Sequence, residues 1–272
     1  MRKIYATFSG DKYHETTRQI LDRAPHMGAD EVWVYDDWWL LNRRQEFVRQ
    51  NEWLFRHPAK NERVSESGPR GVCWFAFKPL VILDALDRLA PGDLVLFTDA
   101  DTYPIHDFSM LYDEAVRNGG VMLFSAVGCW HDRWCKRDCF AVMGRDEPQW
   151  RDVQHAVARF MVFQKSAHPT NHRPTQLLWE WFTYCLNPLA TTMDASRLAV
   201  PEHPKYYEHR FEQAILTNLA HKYGFKLYRE ACGFGAHVDN DKELYPQLFI
   251  QFGGHTYGPV RGQGSMFRNI ND

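Results

Sequence analysis

The sequence lacks an excess of charge of either sign. Its 272 residues include 32 Lys and Arg against 34 Asp and Glu, which gives a formal net charge of -2. A broad nucleic-acid-binding surface needs a clear basic excess, so we expect no nucleic-acid partner. Hydrophobic residues make up 44% of the chain and charged residues 24%, an ordinary globular composition. This composition excludes a disordered, collagen-like or coiled-coil chain.

Long hydrophobic runs are also missing. The longest apolar stretch, around Val72–Leu83, is interrupted by Lys78 and Pro79. It falls short of the roughly 20 residues that a membrane helix requires, so we expect membrane contact to be peripheral at most. The apolar run after Arg2 and Lys3 is too short for a secretory signal, and a cytoplasmic location is expected. In that compartment the six cysteines are expected to be free thiols.

Short apolar runs alternate with helical patterns over the first 125 residues. This alternation predicts an α/β fold with a mainly parallel central sheet. Ligands of such sheets bind at the carboxyl ends of the strands. The predicted strands are Lys3–Phe8, Glu31–Tyr35, Leu94–Phe97, Val121–Ser125 and Phe160–Phe163, and the predicted helices are Tyr13–Leu21, Pro79–Leu89, Asp107–Arg117, Thr170–Leu186 and Glu208–Lys222.

Two aspartates, Asp99 and Asp101, follow the wholly apolar run Leu94–Phe97. Side chains alternate along a strand, so both carboxylates are expected on the same face. Two neighbouring carboxylates repel each other, shift a pKa or share a cation. A shared Mg²⁺ or Mn²⁺ that also binds phosphate is the economical solution, whereas a pair of solvated loop aspartates is the alternative without function.

Two enzyme classes use such an acidic pair. A nucleotide-sugar transferase holds a metal ion on the donor diphosphate, whereas a haloacid-dehalogenase-type phosphohydrolase uses one aspartate as nucleophile and the other as acid. The segment Asp99–Thr102 suits both classes. The phosphohydrolase places its pair on the first strand of its core domain, but about a third of this chain precedes Asp99. Its later Gly-Asp-x-x-x-Asp motif is missing as well, which favours the transferase.

Four segments resemble the metal-dependent GT-A glycosyltransferases, in particular the retaining group of glycogenin and the bacterial lipopolysaccharide galactosyltransferases (family 8-like). These segments occur in the family's order. The resemblance implies a single GT-A-like, Rossmann-related domain over residues 1–272, with a nucleotide-binding half (1–125) and an acceptor and C-terminal metal-binding half (126–272). The matching segments are Ile4–Tyr13, Leu94–Asp101, Tyr207–Leu216 and His255–Arg261.

The resemblance also implies ligands. The donor is a nucleotide-diphospho sugar, with UDP as the expected nucleotide, and the cofactor is Mn²⁺ or Mg²⁺. The acceptor is a glycan or glycoconjugate, as in surface polysaccharide synthesis. By resemblance the metal ligands are Asp99, Asp101 and His255, and the other donor-binding residues are Ala6, Thr7, Tyr13, Lys78, Gly258 and Arg261.

Glu212 and Gln213 match the family's acidic-Gln pair, although the family has Asp at the first position. The resemblance implies that Glu212 binds donor-sugar hydroxyls and that Gln213 lies beneath the anomeric carbon. An amide there can steady an oxocarbenium ion, which favours a retaining reaction. An inverting transferase with Glu212 as the base remains an alternative. A non-catalytic nucleotide-sugar-binding protein is the second alternative.

The segment Cys129–Arg145 carries three cysteines whose spacing fits no common zinc site, so free thiols are expected. By its place in the chain this segment is expected to influence acceptor choice. A tryptophan is more often part of a core than a sugar-stacking surface. Candidates for sugar stacking are Trp38, Trp39, Trp130, Trp134, Trp150, Trp179 and Trp181.

Overall fold

The computed structural model describes residues 1–10, 13–55, 72–232 and 247–251 of the chain. The strands in these ranges are β1 (Lys3–Phe8), β2 (Glu31–Tyr35), β3 (Leu94–Asp99), β4 (Thr102–Pro104), β5 (Val121–Trp130), β6 (Gln154–Gln164), β7 (Leu227–Arg229) and β8 (Phe249–Gln251). Six of them form the main sheet, in the order β2-β1-β3-β6-β5-β7, and β4 pairs with β8 in a small antiparallel sheet. Strand β6 runs antiparallel to both of its neighbours, and the other five strands of the main sheet run in one direction.

Helices cover both faces of this sheet. The helices are α1 (His14–Arg23), α2 (Asp37–Arg43), α3 (Gln45–Gln50), α4 (Phe77–Asp87), α5 (Ser109–Arg117), α6 (His131–Trp134), α7 (Arg137–Val142), α8 (Pro148–Arg151), α9 (Arg173–Cys185), α10 (Pro188–Thr191) and α11 (Phe211–Tyr223). Helices α4, α9 and α11 contribute to the buried cluster on one face, and α1 and α5 contribute to the cluster on the other.

Strand β3 shows why the sheet is covered on both faces. Its residues Leu94, Val95, Leu96 and Phe97 are all fully buried. Because side chains alternate along a strand, Val95 and Phe97 pack with α4, α9 and α11, whereas Leu94 and Leu96 pack with α1 and α5. A continuous apolar run is the pattern of a strand buried on both sides. The predicted α/β fold with a mainly parallel sheet is therefore confirmed.

Strand β6, the longest strand of the described residues, is longer than the sequence predicted. It has 11 residues, whereas the prediction covered only Phe160–Phe163. Its apolar pattern is interrupted by two polar residues, His155, which faces a buried histidine, and Arg159, which donates a hydrogen bond to a carboxylate. Both polar side chains have partners inside the fold, although His155 Nε2 has none within the described ranges. A sequence pattern does not reveal such partners.

The helix ends differ slightly from the predicted ones. Helix α5 begins at Ser109 rather than at the predicted Asp107, and the Asp107 carboxylate, outside the helix, accepts a hydrogen bond from the Ser109 N–H at 2.7 Å. Pro79 stands in the first turn of α4, where no intrahelical N–H partner is lost. Helix α11 ends at the expected C-cap, with Gly224 in the left-handed region at φ 63°.

Two further expectations concern cysteines and membranes. The cysteines whose side chains are described form no disulfide, as expected: Cys129, Cys135, Cys139, Cys185 and Cys232. In the described part of the chain, no helix combines the length and the apolar character needed to cross a bilayer.

Candidate functional site

The acidic pair lies at the carboxyl end of the central strand β3. Asp99 is the last residue of β3, but Asp101 lies in the turn before β4, so strand alternation does not orient both side chains as expected. Asp101 is held by the turn, since its carboxylate accepts hydrogen bonds from Thr102 Oγ1 at 2.9 Å and Gln251 Nε2 at 2.8 Å. Burial and the nearby charge of Asp101 raise the pKa of Asp99. The two carboxylates therefore interact across a turn rather than along one face of a strand, and their sharing of a cation stays a prediction.

Lys78 reaches this pair from the first turn of α4. Its Nζ lies 2.9 Å from Asp99 Oδ1 and 2.9 Å from Glu212 Oε1, and it donates a hydrogen bond to the Ala158 carbonyl at 3.0 Å. Lys78 is only 3% exposed. The ammonium has three donors, and all three have protein partners here. The structure thus places Lys78 behind the acidic pair rather than at an open surface.

The three groups form an unbalanced buried cluster. Burial lowers the pKa of Lys78, but the two carboxylates outweigh this effect and raise it above its ordinary value. Burial raises the pKa of Asp99 and of Glu212, and Lys78 opposes both shifts. One ammonium neutralises only one of the two carboxylates. The cluster therefore keeps a negative charge at neutral pH or takes up a proton as the pH falls.

A second cation, Arg159, enters the site from β6. Its Nη1 donates to Glu230 Oε1 at 2.9 Å and lies 3.3 Å from Cys232 Sγ. Burial lowers the pKa of Arg159, but Cys232, Glu230, Asp101 and Asp99 raise it to a net increase. Arg159 is therefore within electrostatic reach of the acidic pair. Sequence reasoning missed both Arg159 and Glu230, and the only signal was that Arg159 adjoins the apolar residues of the strand beside β3.

The carboxylates of the site outnumber its cations. Among the described residues of the site, four carboxylates face two cations, which leaves two negative charges in excess when all six are ionised. An oxygen-rich site with such an excess suits a hard divalent cation such as Mg²⁺ or Mn²⁺. Within the described ranges no group of three His, Cys, Asp or Glu side chains converges as a complete ligand set. The carboxylates are Asp99, Asp101, Glu212 and Glu230, and the cations are Lys78 and Arg159.

Glu212 and Gln213 occupy the first turn of α11. Glu212 is 3% exposed, and its carbonyl accepts a hydrogen bond from Trp181 Nε1 at 2.8 Å. Gln213 is half-buried, and its backbone N–H bonds to the Arg210 carbonyl at 2.9 Å. The helix start therefore fixes an inward-facing carboxylate and a more accessible amide one residue later.

The backbone at this helix start is strained. Phe211 has φ 43°, and Trp74 and Phe75 have φ values of 51° and 61°. Bulky residues avoid this left-handed region, and such strain collects at functional sites. The three rings pack together, since the Phe211 centroid lies 5.1 Å from that of Trp74 and 6.0 Å from that of Phe75. Lys78 Nζ lies 4.9 Å from the centre of the Phe75 ring, so the aromatic cluster borders the acidic site.

The residues expected to bind the nucleotide differ in their exposure to solvent. Ala6 and Thr7 are fully buried in β1, whose backbone pairs with both β2 and β3, so neither side chain reaches the surface. Their assignment to nucleotide binding stays a prediction. Thr7 Oγ1 has no hydrogen-bond partner within the described ranges. Tyr13 is half-buried and stands just before α1, and its N–H bonds to the Gly10 carbonyl at 3.0 Å.

Three predicted donor and metal residues lie outside the described residues. These are His255, Gly258 and Arg261. The described chain stops four positions before His255, at Gln251 in β8. Gln251 pairs with Thr102 and bonds to Asp101, so β8 brings the chain to the acidic pair.

A cavity of about 400 Å³ lies elsewhere, between α4 and α9. Its lining includes Asp84, Lys165 and Trp179. Lys165 follows the end of β6 that pairs with the start of β3, so this cavity opens at the amino end of β3. It shares no lining residue with the acidic site.

Comparison with known proteins gives a fold likeness only. No protein-family model and no curated protein matches the sequence. The apo structure of mouse xyloside xylosyltransferase 1 is similar with a TM-score of 0.49 and 9% identity, over 92% of this chain and 97% of that one. Galactosyltransferase LgtC in complex with donor and acceptor sugar analogues gives a TM-score of 0.49 and 12% identity, over 92% of this chain and 87% of that one.

A further solved structure, that of the apo bifunctional glycosyltransferase WbbM, gives a TM-score of 0.47 and 11% identity. The likeness covers 94% of this chain and 46% of WbbM, so this chain spans about half the length of that protein. At these scores and identities, the likenesses establish neither the family nor the activity of this chain.

Proposed function

We propose that this protein is a metal-dependent glycosyltransferase that moves a sugar from a nucleotide-diphospho donor, most simply a UDP-sugar, to a glycan or glycoconjugate. The observation that carries the proposal is the acidic pair Asp99 and Asp101 at the carboxyl end of the central strand β3. Ligands of α/β sheets bind at this edge. The excess of negative charge around the pair supports a site that takes a divalent cation together with a phosphate ligand.

The proposed reaction breaks the bond between the anomeric carbon and the diphosphate and forms a bond between that carbon and an acceptor hydroxyl oxygen. The proton of that hydroxyl passes to the leaving diphosphate. Asp99 and Asp101, with His255 as the third ligand, would hold Mn²⁺ or Mg²⁺. The metal would supply a Lewis acid for the leaving diphosphate. Arg261 would add charge-assisted hydrogen bonds to the same diphosphate, beside Gly258.

Lys78 acts mainly as a positioning residue in this proposal. It fixes the Asp99 carboxylate at 2.9 Å and neutralises part of the buried charge. A carboxylate already oriented by a buried partner loses less freedom when it takes a ligand. The donor then meets a prearranged acidic pair.

Retention is favoured over inversion by the surroundings of Glu212. A general base must lie within hydrogen-bond reach of the acceptor hydroxyl. Glu212 is 3% exposed and bonded to Lys78, which supports a role in holding the site rather than in taking the acceptor proton. Gln213 is the more accessible group of the pair, and we propose that its amide steadies the positive charge of the sugar ring.

The metal assignment is tested with the variant Asp101→Ala. Mn²⁺-dependent binding of UDP, measured by titration calorimetry, is expected to be lost because the variant removes one metal ligand. Asp113→Ala is the matched control, since Asp113 is an exposed aspartate in a surface ion pair with Lys3 at 3.6 Å. If Asp101→Ala binds UDP as tightly as the wild type does in the presence of Mn²⁺, the assignment of a metal to this site is wrong.

A further inference from the structure

Aromatic rings and guanidinium groups form one surface beside the acidic site. The Trp134 and Tyr207 ring centroids lie 5.4 Å apart at an interplanar angle of 80°. The Arg133 guanidinium lies 5.6 Å from the Trp134 ring centre and 5.3 Å from that of Tyr207. The Arg210 guanidinium lies 4.7 Å from the Trp134 ring centre. We call these four residues the Arg133 platform.

The platform is held in place by its backbone. The Tyr207 N–H donates to the Arg133 carbonyl at 2.9 Å, and the Arg210 N–H donates to the Trp134 carbonyl at 3.0 Å. The first residue of α6, His131, is fully buried and fixes the start of this helix in the fold. Two segments distant in sequence are thus joined, and a fixed surface binds a ligand at a lower entropic cost than a mobile one.

The platform is open to solvent, and Arg133 has no ion-pair partner among the described residues. Tyr207 is 61% exposed, and the neighbouring Trp130 is 46% exposed. Arg133 is exposed as well. Arg210 has a loose partner, with its Nη2 at 3.6 Å from Glu208 Oε2. An exposed guanidinium beside an exposed ring suits a ligand with an apolar face and an anionic group.

The platform adjoins the proposed reaction centre. Arg210 immediately precedes α11, and its carbonyl accepts the hydrogen bond from the Gln213 N–H at 2.9 Å. Burial raises the pKa of the Cys129 thiol, and the charges of Glu230, Arg210 and Arg133 also act on that thiol. Cys129 is therefore near the platform and near Glu230, the partner of Arg159. A ligand on the platform would lie next to the first turn of α11.

We propose that the Arg133 platform is an acceptor subsite for an anionic glycan, with a sugar ring on the exposed Tyr207 ring beside Trp134 and a carboxylate of the glycan on Arg133. The inference rests on the proposed function and narrows its acceptor to sugars that carry negative charge. Sugar rings present an apolar face to aromatic side chains, and guanidinium groups bind carboxylate and phosphate in a bidentate manner.

The test measures binding of acidic and neutral oligosaccharides to the full chain by ligand-observed NMR. Trigalacturonate and sialyllactose are the acidic probes, and galactotriose and lactose are their neutral counterparts. The wild type is expected to prefer the acidic probes. Arg133→Ala should weaken acidic-probe binding by about tenfold or more and leave neutral-probe binding unchanged.

Three further variants sharpen the result. Tyr207→Ala should weaken both kinds of probe, whereas Tyr207→Phe, which keeps the ring, should bind as the wild type does. Arg43→Ala is the matched control, because Arg43 is an exposed arginine 5.6 Å from the ring centre of the exposed Trp38. That control should bind all probes normally.

The contrary outcomes are equally specific. Equal affinity for acidic and neutral probes, no binding of either acidic probe, or an equal loss in Arg43→Ala would overturn the subsite. Loss of Mn²⁺-dependent UDP binding in Arg133→Ala would place Arg133 at the donor and overturn the acceptor assignment. If the wild type binds acidic probes through Arg133 but binds no nucleotide, the proposed function fails and the anionic-glycan site stands.

Discussion

Replacing Lys78 by methionine removes the only ammonium that joins Asp99 to Glu212 in the described structure. Methionine keeps most of the side-chain length, so the change is chiefly a loss of charge. The variant leaves two carboxylates in a buried site without their counter-ion. Removing one partner of a buried ion pair typically costs about 3–5 kcal/mol. We expect the free energy of unfolding of Lys78→Met to fall by about that amount at neutral pH.

The loss should depend on pH in one direction. Burial already raises the pKa of Asp99 and Glu212, and loss of Lys78 raises both pKa values further. The folded variant then holds a proton at pH values where the unfolded chain, with carboxyl pKa values near about 4, has released it. Stability of the variant therefore rises as the pH is lowered from about 7.5 toward about 5. Urea unfolding at several pH values measures this directly.

Two companion variants define the result. Lys222→Met is the control, because Lys222 pairs with Glu180 at 2.6 Å in a partly exposed bridge that is worth about 0–1 kcal/mol. The double variant Lys78→Met with Glu212→Gln should recover part of the loss, since one unpaired charge is removed. A loss in Lys78→Met no larger than that in Lys222→Met, and independent of pH, would refute the buried cluster.

The remaining predictions concern acid stability and the core. Burial lowers the pKa of His131 and of His209 to about 3, so the folded state excludes protons that the unfolded chain binds below pH about 6.5. The free energy of unfolding is therefore highest above that pH. It falls by about 1.4 kcal/mol per pH unit for each histidine as the pH is lowered toward 3. Midpoints of urea unfolding that stay constant between about pH 7 and pH 5 would contradict this prediction. Leu96→Ala, in the buried β3, should lower the free energy of unfolding by about 2–5 kcal/mol, whereas the exposed Leu41→Ala should change it little; equal effects would refute the core assignment.

Those parts of the fold that depend on local pattern were predicted from the sequence. Strands β1 and β2 have the predicted bounds, because each is a short run in which apolar residues predominate. The acidic pair was recognised because Asp99 ends the strand β3, whose first four residues are apolar, and Asp101 follows two residues later. Gly224 was recognised as a helix end, because a glycine in the left-handed region is the common C-cap.

The groups around the acidic pair were harder to predict. Arg159 lies in a strand whose length was underestimated, and its partner Glu230 is 71 residues away in sequence. Lys78 was expected to reach the donor, but its three partners become visible only when α4, β3 and α11 are packed together. The Arg133 platform likewise depends on hydrogen bonds between segments more than 70 residues apart, which no sequence pattern records.

The most direct test of the proposed function is a thermal-shift screen of the wild-type protein with UDP, GDP and CMP and their common sugars, each with Mn²⁺ and with EDTA. A ligand at 100 times its dissociation constant stabilises the folded state by about 2.7 kcal/mol, which raises the melting temperature measurably. The account predicts a Mn²⁺-dependent rise with one nucleotide, most simply UDP, that EDTA abolishes. No rise with any nucleotide, with or without Mn²⁺, would contradict a nucleotide-sugar transferase.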